Sequence, residues 1–241
     1  EIDLAKNLGT DVIITDHHDV PEIMPSAYAV INPKTFKEDV DIKNLAGVGV
    51  AFKLAQAVLE SNNENDFVEN LVYLVAIGSI SDVVPLKGEN RALVHKGLNL
   101  ITQKRPAGII KLLESAGYKT ESSVSSDAIA FGVAPRINAI GRLSEATLAV
   151  ELLTDDNSEN LDRIVKELNS NNRIRQQMCE NIFLEADRMV NDSFDKKNDH
   201  AIVLASPNWH SGIIGIVASK ITEKYFRPTF LISVEENEAR C

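Results

Sequence analysis

The chain has 241 residues, 44% of them hydrophobic and 25% charged, a mix too apolar for a disordered polypeptide. Its formal net charge of −10 excludes a nonspecific coat on nucleic acid, although a local basic cleft is compatible with an acidic body. Its two cysteines, one of them the last residue, offer no disulfide framework and no zinc-ligand spacing, and the longest apolar run, 71–77, is far too short to cross a membrane.

The chain opens on a helix tail, 2–8, with Gly9 where a C-cap glycine belongs. Val12-Ile13-Ile14-Thr15 reads as a short buried strand, because β-branched side chains suit an enclosed pleated surface. Asp16-His17-His18 follows directly. Ligands of open α/β sheets bind outside the carboxyl ends of strands, so this cluster is predicted to line a cleft. A polar turn with Asp16 capping the next segment is the plainer alternative.

Residues 27–31 form a second predicted strand, closed by Asn32-Pro33. Ala46-Gly47-Val48-Gly49 then opens a helix through Leu59. Its Gly-x-Gly lacks the lysine and third glycine of phosphate loops, so close helix packing is the preferred reading. A further apolar helix, 66–77, is expected to be capped by Asn65 or Asp66, and Asp82 stands just past its end, before Pro85. Such an element delivers a carboxylate to a cleft, or else one that caps a turn. Helical patterns continue over 89–103 and 106–116, with Pro106 placed at a first helical position, and over 127–131.

Ala134-Pro135-Arg136-Ile137-Asn138-Ala139-Ile140-Gly141-Arg142-Leu143 carries two arginines among apolar residues. The guanidinium fork matches phosphate oxygens, so Arg136 and Arg142 are a candidate phosphate clamp, with a solvated surface loop as the alternative. A short helix, 145–153, precedes the longest periodic stretch, 158 to about 190, which is apolar at both ends and polar across 169–177. It reads as a connector between two bodies, roughly 50 Å long. A βαβ pattern follows, with strands 200–205 and 228–234 around a helix 211–225. Trp209 and His210 sit at that helix's start, a place favourable to anions, or else a packed indole beside a solvated imidazole.

Together, Asp16-His17-His18, the segment Ser79–Leu86 with Asp82, Arg136-Ile137-Asn138-Ala139-x-Gly141-Arg142 and Trp209-His210-x-Gly212 resemble the DHH phosphoesterase superfamily, in its RecJ-type branch. The resemblance runs along the whole chain. It implies an α/β fold: residues 1–154 as the C-terminal part of a DHH domain, a parallel sheet with many helices; 155–195 as a connecting helix; and 196–241 as the start of a second, DHHA1-like domain. It implies a 5′→3′ single-stranded-DNA exonuclease of DNA repair and recombination, using two Mn²⁺ or Mg²⁺ ions. His17 and Asp82 would ligate metal, Asp16 would orient a histidine ring, and His18 would face the scissile phosphate. Arg136, Asn138, Arg142, Trp209 and His210 would contact DNA, with Trp209 stacking on a base. Single-strand-binding protein and a helicase are the partners it suggests, in the cytoplasm. The family's upstream Asp-rich motifs do not occur in the chain, so the expectation is of a fragment inactive alone. Two alternatives are a DHH phosphodiesterase of short oligonucleotides or cyclic dinucleotides, and a noncatalytic DHH-fold scaffold.

Overall fold

The computed structural model describes residues 1–37, 41–62, 65–143, 146–195, 198–235 and 238–241, with only the backbone of 65, 66, 142 and 143. The chain packs as two compact units, Glu1–Pro135 and Arg136–Cys241. This division falls ahead of residue 154, since α7 (Thr147–Thr154) packs on α8 (Ser158–Ser193) in the second unit.

In the first unit, α1 (Ile2–Asn7) leads to β1 (Ile13–Thr15), which pairs in parallel with β2 (Ala29–Ile31). Gly9 ends α1 at φ +77°, as a C-cap glycine should. The expected burial of β1 is a correction: it is open, with Ile13 57% exposed. A ribbon of two strands has too few neighbours to cover both its faces.

Most of this unit is helical: α2 (Gly47–Ser61), α3 (Asn65–Ser81), α4 (Gly88–Lys104) and α5 (Ala107–Ser115). Alternate apolar positions of α2 and α3 form a buried cluster with Phe52, Val68, Val72 and Val75. The helices approach closely through glycine: a methyl at Gly78 would lie 2.5 Å from Val48, and one at Gly97 2.5 Å from Ala76. The expected caps of α3, Asn65 and Asp66, have side chains outside the described residues. Pro106 precedes α5 as its N-cap rather than opening the helix.

The segment around Arg136, for which a surface loop was the alternative reading, is helical. A π-helical stretch (Ala128–Val133) runs directly into α6 (Ala134–Leu143). Its widened turn lies just ahead of Pro135, whose missing N–H would break an ordinary helical ladder.

In the second unit α8 is one continuous helix of 36 residues. Its last turns, with Cys179, Ile182, Ala186 and Val190, pack against β3 (Ile202–Ser206) and α9 (Ser211–Tyr225). β3 pairs in parallel with β4 (Thr229–Val234), the predicted βαβ arrangement, and β4 turns back antiparallel into a short β5 (Ala239–Arg240) that periodicity did not reveal.

Candidate functional site

β1 ends at Thr15, and the chain turns there because Asp16 gathers the amides that follow. Its Oδ1 accepts from the N–H groups of His17 (2.7 Å) and His18 (3.2 Å). The same oxygen lies 2.7 Å from His18 Nδ1. The hydrogen bond from His18, aided by the backbone amides, holds the Asp16 carboxyl below its ordinary range. Asp16 is thus both the cap of the turn and the orienter of a histidine ring, and the ring is that of His18. With Nδ1 engaged, His18 presents Nε2 outward on a side chain that is 78% exposed.

His17 turns the other way. Its Nδ1 stands 3.6 Å from Oδ2 of Asp82, with the two side chains 22% and 47% exposed. That is too long for a hydrogen bond. Two donors each about 2.1 Å from a shared ion stand about 3 to 3.5 Å apart, so the pair has the spacing of two ligands. Imidazole with carboxylate is a donor set suited to manganese and related ions rather than to calcium. Among the described residues, no third His, Cys, Asp or Glu joins them to make a larger metal-binding group.

Three features hold these side chains. The first turn of α2 lies against the His17 ring: a methyl at Gly47 would fall 3.3 Å from Cδ2 and 3.7 Å from Nε2. Asp82 is the C-cap of α3, closed by paired bonds from Val83 N–H to Ile80 O (3.2 Å) and Val84 N–H to Ser79 O (3.4 Å). Val83 occupies the left-handed position at φ +57°, where glycine is usual. The open carbonyls of a helix end concentrate negative charge beside Asp82, which favours a cation. Finally, buried Asn90 donates from Nδ2 to Asn44 O and to Pro85 O (3.1 Å). It thereby ties the segment before α2 to the loop after Asp82.

Gly47, Val83 and Asn90 were missed as site residues. Only Gly47 left a signal, the Gly-x-Gly at a helix start, which serves close packing as expected, with His17 as the packing partner.

The remaining candidates lie in the second unit. Arg136 donates from Nε to Asn169 Oδ1 (2.7 Å), and Asn169 in turn donates to the Val165 carbonyl (2.9 Å), so the guanidinium is fixed. Asn138 is exposed on α6. Arg142 continues α6 in its backbone, but its side chain lies outside the described residues. His210 caps α9, accepting the Gly212 N–H at Nδ1 (3.1 Å). A neutral His210 therefore carries its own N–H on Nε2.

Trp209 is a correction. It is 3% exposed, packed with Ile213, Ile214 and Leu231, and cannot stack on a base. Burying so large an aromatic surface outweighs leaving its Nε1 without an acceptor among the described residues.

Comparison with known proteins bears on the family and the fold. Residues 1–79 match the family described as the DHH family, N-terminal domain. The single-stranded-DNA-specific exonuclease RecJ of Bacillus subtilis is 37% identical over 238 residues, covering 99% of this chain and 29% of that protein. The crystal structure of RecJ in complex with Mn²⁺ from Thermus thermophilus superposes with a TM-score of 0.83 at 37% identity, over 95% of this chain and 34% of that one. The Mg²⁺ complex from the same organism gives 0.77 at 37% identity, over 93% and 33%. The chain thus spans between 29% and 42% of the length of the RecJ relatives it matches. By sequence along nearly its whole length, and by the fold that sequence adopts, the chain matches part of the RecJ-type proteins, and residues 1–79 carry the N-terminal domain of the DHH family.

Proposed function

We propose that this chain supplies half of a divalent-metal site in a 5′→3′ single-stranded-DNA exonuclease of DNA repair and recombination. The observation that carries this is the 3.6 Å approach of His17 to Asp82. His17 and Asp82 hold Mn²⁺ or Mg²⁺, the ions in the Thermus RecJ crystals. A pair of such ions supplies Lewis acidity for in-line displacement at phosphorus. Asp16 fixes the His18 ring, and His18 offers Nε2 to the scissile phosphate as a charge stabiliser or proton donor. Arg136, Asn138, Arg142 and the Nε2–H of His210 contact the strand's phosphates. Cytoplasmic location, and single-strand-binding protein and a helicase as partners, belong to the same proposal.

Two ligands are fewer than a working two-ion site needs, so the 241 residues alone are proposed to be inactive. The test is Mn²⁺ titration of the chain by electron paramagnetic resonance, with His17→Ala and Asp82→Asn. Each is expected to weaken binding by at least about tenfold, since losing even an outer partner of a ligand costs that much. Unchanged affinity in both variants rejects the assignment. In the full-length protein, the same substitutions should abolish nucleotide release from 5′-labelled single strands.

A further inference from the structure

A second feature of the first unit lies just downstream of the metal pair. A surface groove of about 540 Å³ runs along α4, lined by Leu86, Arg91, Ala92, His95, Leu98 and Ser126 among others. That volume suits a small ligand group such as a base. Its floor is apolar, and among the described residues the carboxylate nearest its lining is that of Asp41, set against Gly88 at the start of α4. Arg91 and His95 lie four residues apart on one line of α4, about 6 Å along the axis, and Lys87 is the extended residue that precedes the helix. Neither Lys87 nor Arg91 makes an ion pair with any described side chain, unlike Lys53, Lys96 and Arg105 of the same unit. In a chain of net charge −10, two cations without an ion pair among the described residues, beside an apolar trough, are out of character for a merely solvated surface.

We propose that this groove is a subsite for single-stranded DNA, taking a base on Leu86 and Leu98 and the adjoining phosphates on Lys87, Arg91 and His95. This rests on the nuclease reading above and extends it to residues outside the reacting centre. Continuity supports it: Leu86 lies four positions after Asp82, so their backbones lie within about 14 Å of each other. A strand leaving the metal pair toward α4 meets the groove next. A cationic track beside an apolar surface is the pattern that binds single strands without reading sequence.

The test is fluorescence anisotropy of labelled oligothymidylate with the 241-residue chain in EDTA, across a salt series, so that strand binding is read apart from metal binding. Arg91→Glu should lower affinity about tenfold and reduce the salt slope by about one. Arg91→Lys should retain most of the affinity. Ala92→Arg, which adds a cation to the groove rim, should raise it several-fold, a gain that misfolding cannot produce. Affinity unchanged in Arg91→Glu and Ala92→Arg, while the parent chain binds the strand, overturns the groove and leaves the nuclease reading standing. Failure of the parent chain to bind any strand, together with Mn²⁺ binding indifferent to His17→Ala, overturns both. A parallel arm uses an acidic peptide ending in an apolar residue. Loss of that peptide in Arg91→Glu with oligothymidylate binding unaltered assigns the groove to protein and overturns the DNA assignment.

Discussion

Gly47 and His17 are in contact because Gly47 has no side chain: its would-be methyl falls 3.3 Å from the imidazole Cδ2. The first turn of α2 is thus the wall against which a candidate ligand is set. Gly47→Ala should push the ring aside by a few tenths of an ångström. The expected outcome is weaker Mn²⁺ binding with a thermal midpoint held within about 4 °C, because alanine is no worse than glycine in a helix. Titration and melting of the same preparation separate the two effects.

Val83 is a β-branched residue in a left-handed conformation at φ +57°, directly after Asp82. The same kind of helix ending carries glycine at Gly9, with φ +77°. A side chain in that region costs about 1–2 kcal/mol, partly offset by the freedom glycine adds to the unfolded chain. Val83→Gly should therefore stabilise the chain by about 0.5–1 kcal/mol, read from the urea midpoint. A destabilised variant would show that the exposed valine side chain contributes packing that outweighs the strain.

Asn90 is 1% exposed, and its amide joins the two segments that bring His17 and Asp82 together. It is a positioning residue. Asn90→Asp replaces the donor with an acceptor facing two carbonyls and should cost about 1–3 kcal/mol in stability. The discriminating readout is Mn²⁺ affinity under conditions where the variant stays folded. A drop there, absent in an equally destabilised core variant such as Leu113→Ala, marks a role at the site rather than in the fold.

Asp187 accepts hydrogen bonds from Lys224 Nζ at 2.5 Å and from the Tyr225 hydroxyl at 2.8 Å. The Lys224 bond chiefly holds its carboxyl below the usual 3.8. A carboxyl depressed by folding stabilises the native state above its unfolded value and loses that contribution as pH falls through the folded one. Asp187→Asn should lower the melting temperature at pH 7 and lose less on acidification below pH 3.8, so that the gap to the parent chain narrows. A gap independent of pH rejects the electrostatic origin.

The helices and the βαβ unit were legible because apolar spacing repeats through them, and α9 begins and ends where that spacing does. His17 and Asp82 were legible as a pair only through the family resemblance, because no local pattern links a strand end to a distant helix end. Burial was less readable. Three apolar β-branched residues predict an enclosed β1, but enclosure depends on how many strands flank it. Trp209 beside His210 reads alike whether the indole faces inward or outward, and only packing on Ile213 and Leu231 decides. The helical state of the Arg136 segment was not legible, because Pro135 is tolerated only where a π-helical turn has already altered the hydrogen-bond ladder. Asn90 gave no signal, since a buried amide that ties two carbonyls looks in sequence like any polar helix residue.

The bare ribbon of β1 and β2 has a practical outcome for anyone handling this polypeptide. Backbone groups left unbonded along a short strand, beside an aliphatic chain as open as Ile13, can recruit another molecule's strand. Stock solutions should therefore grow turbid with concentration and time. A lysine in place of Ile13 should keep them clear.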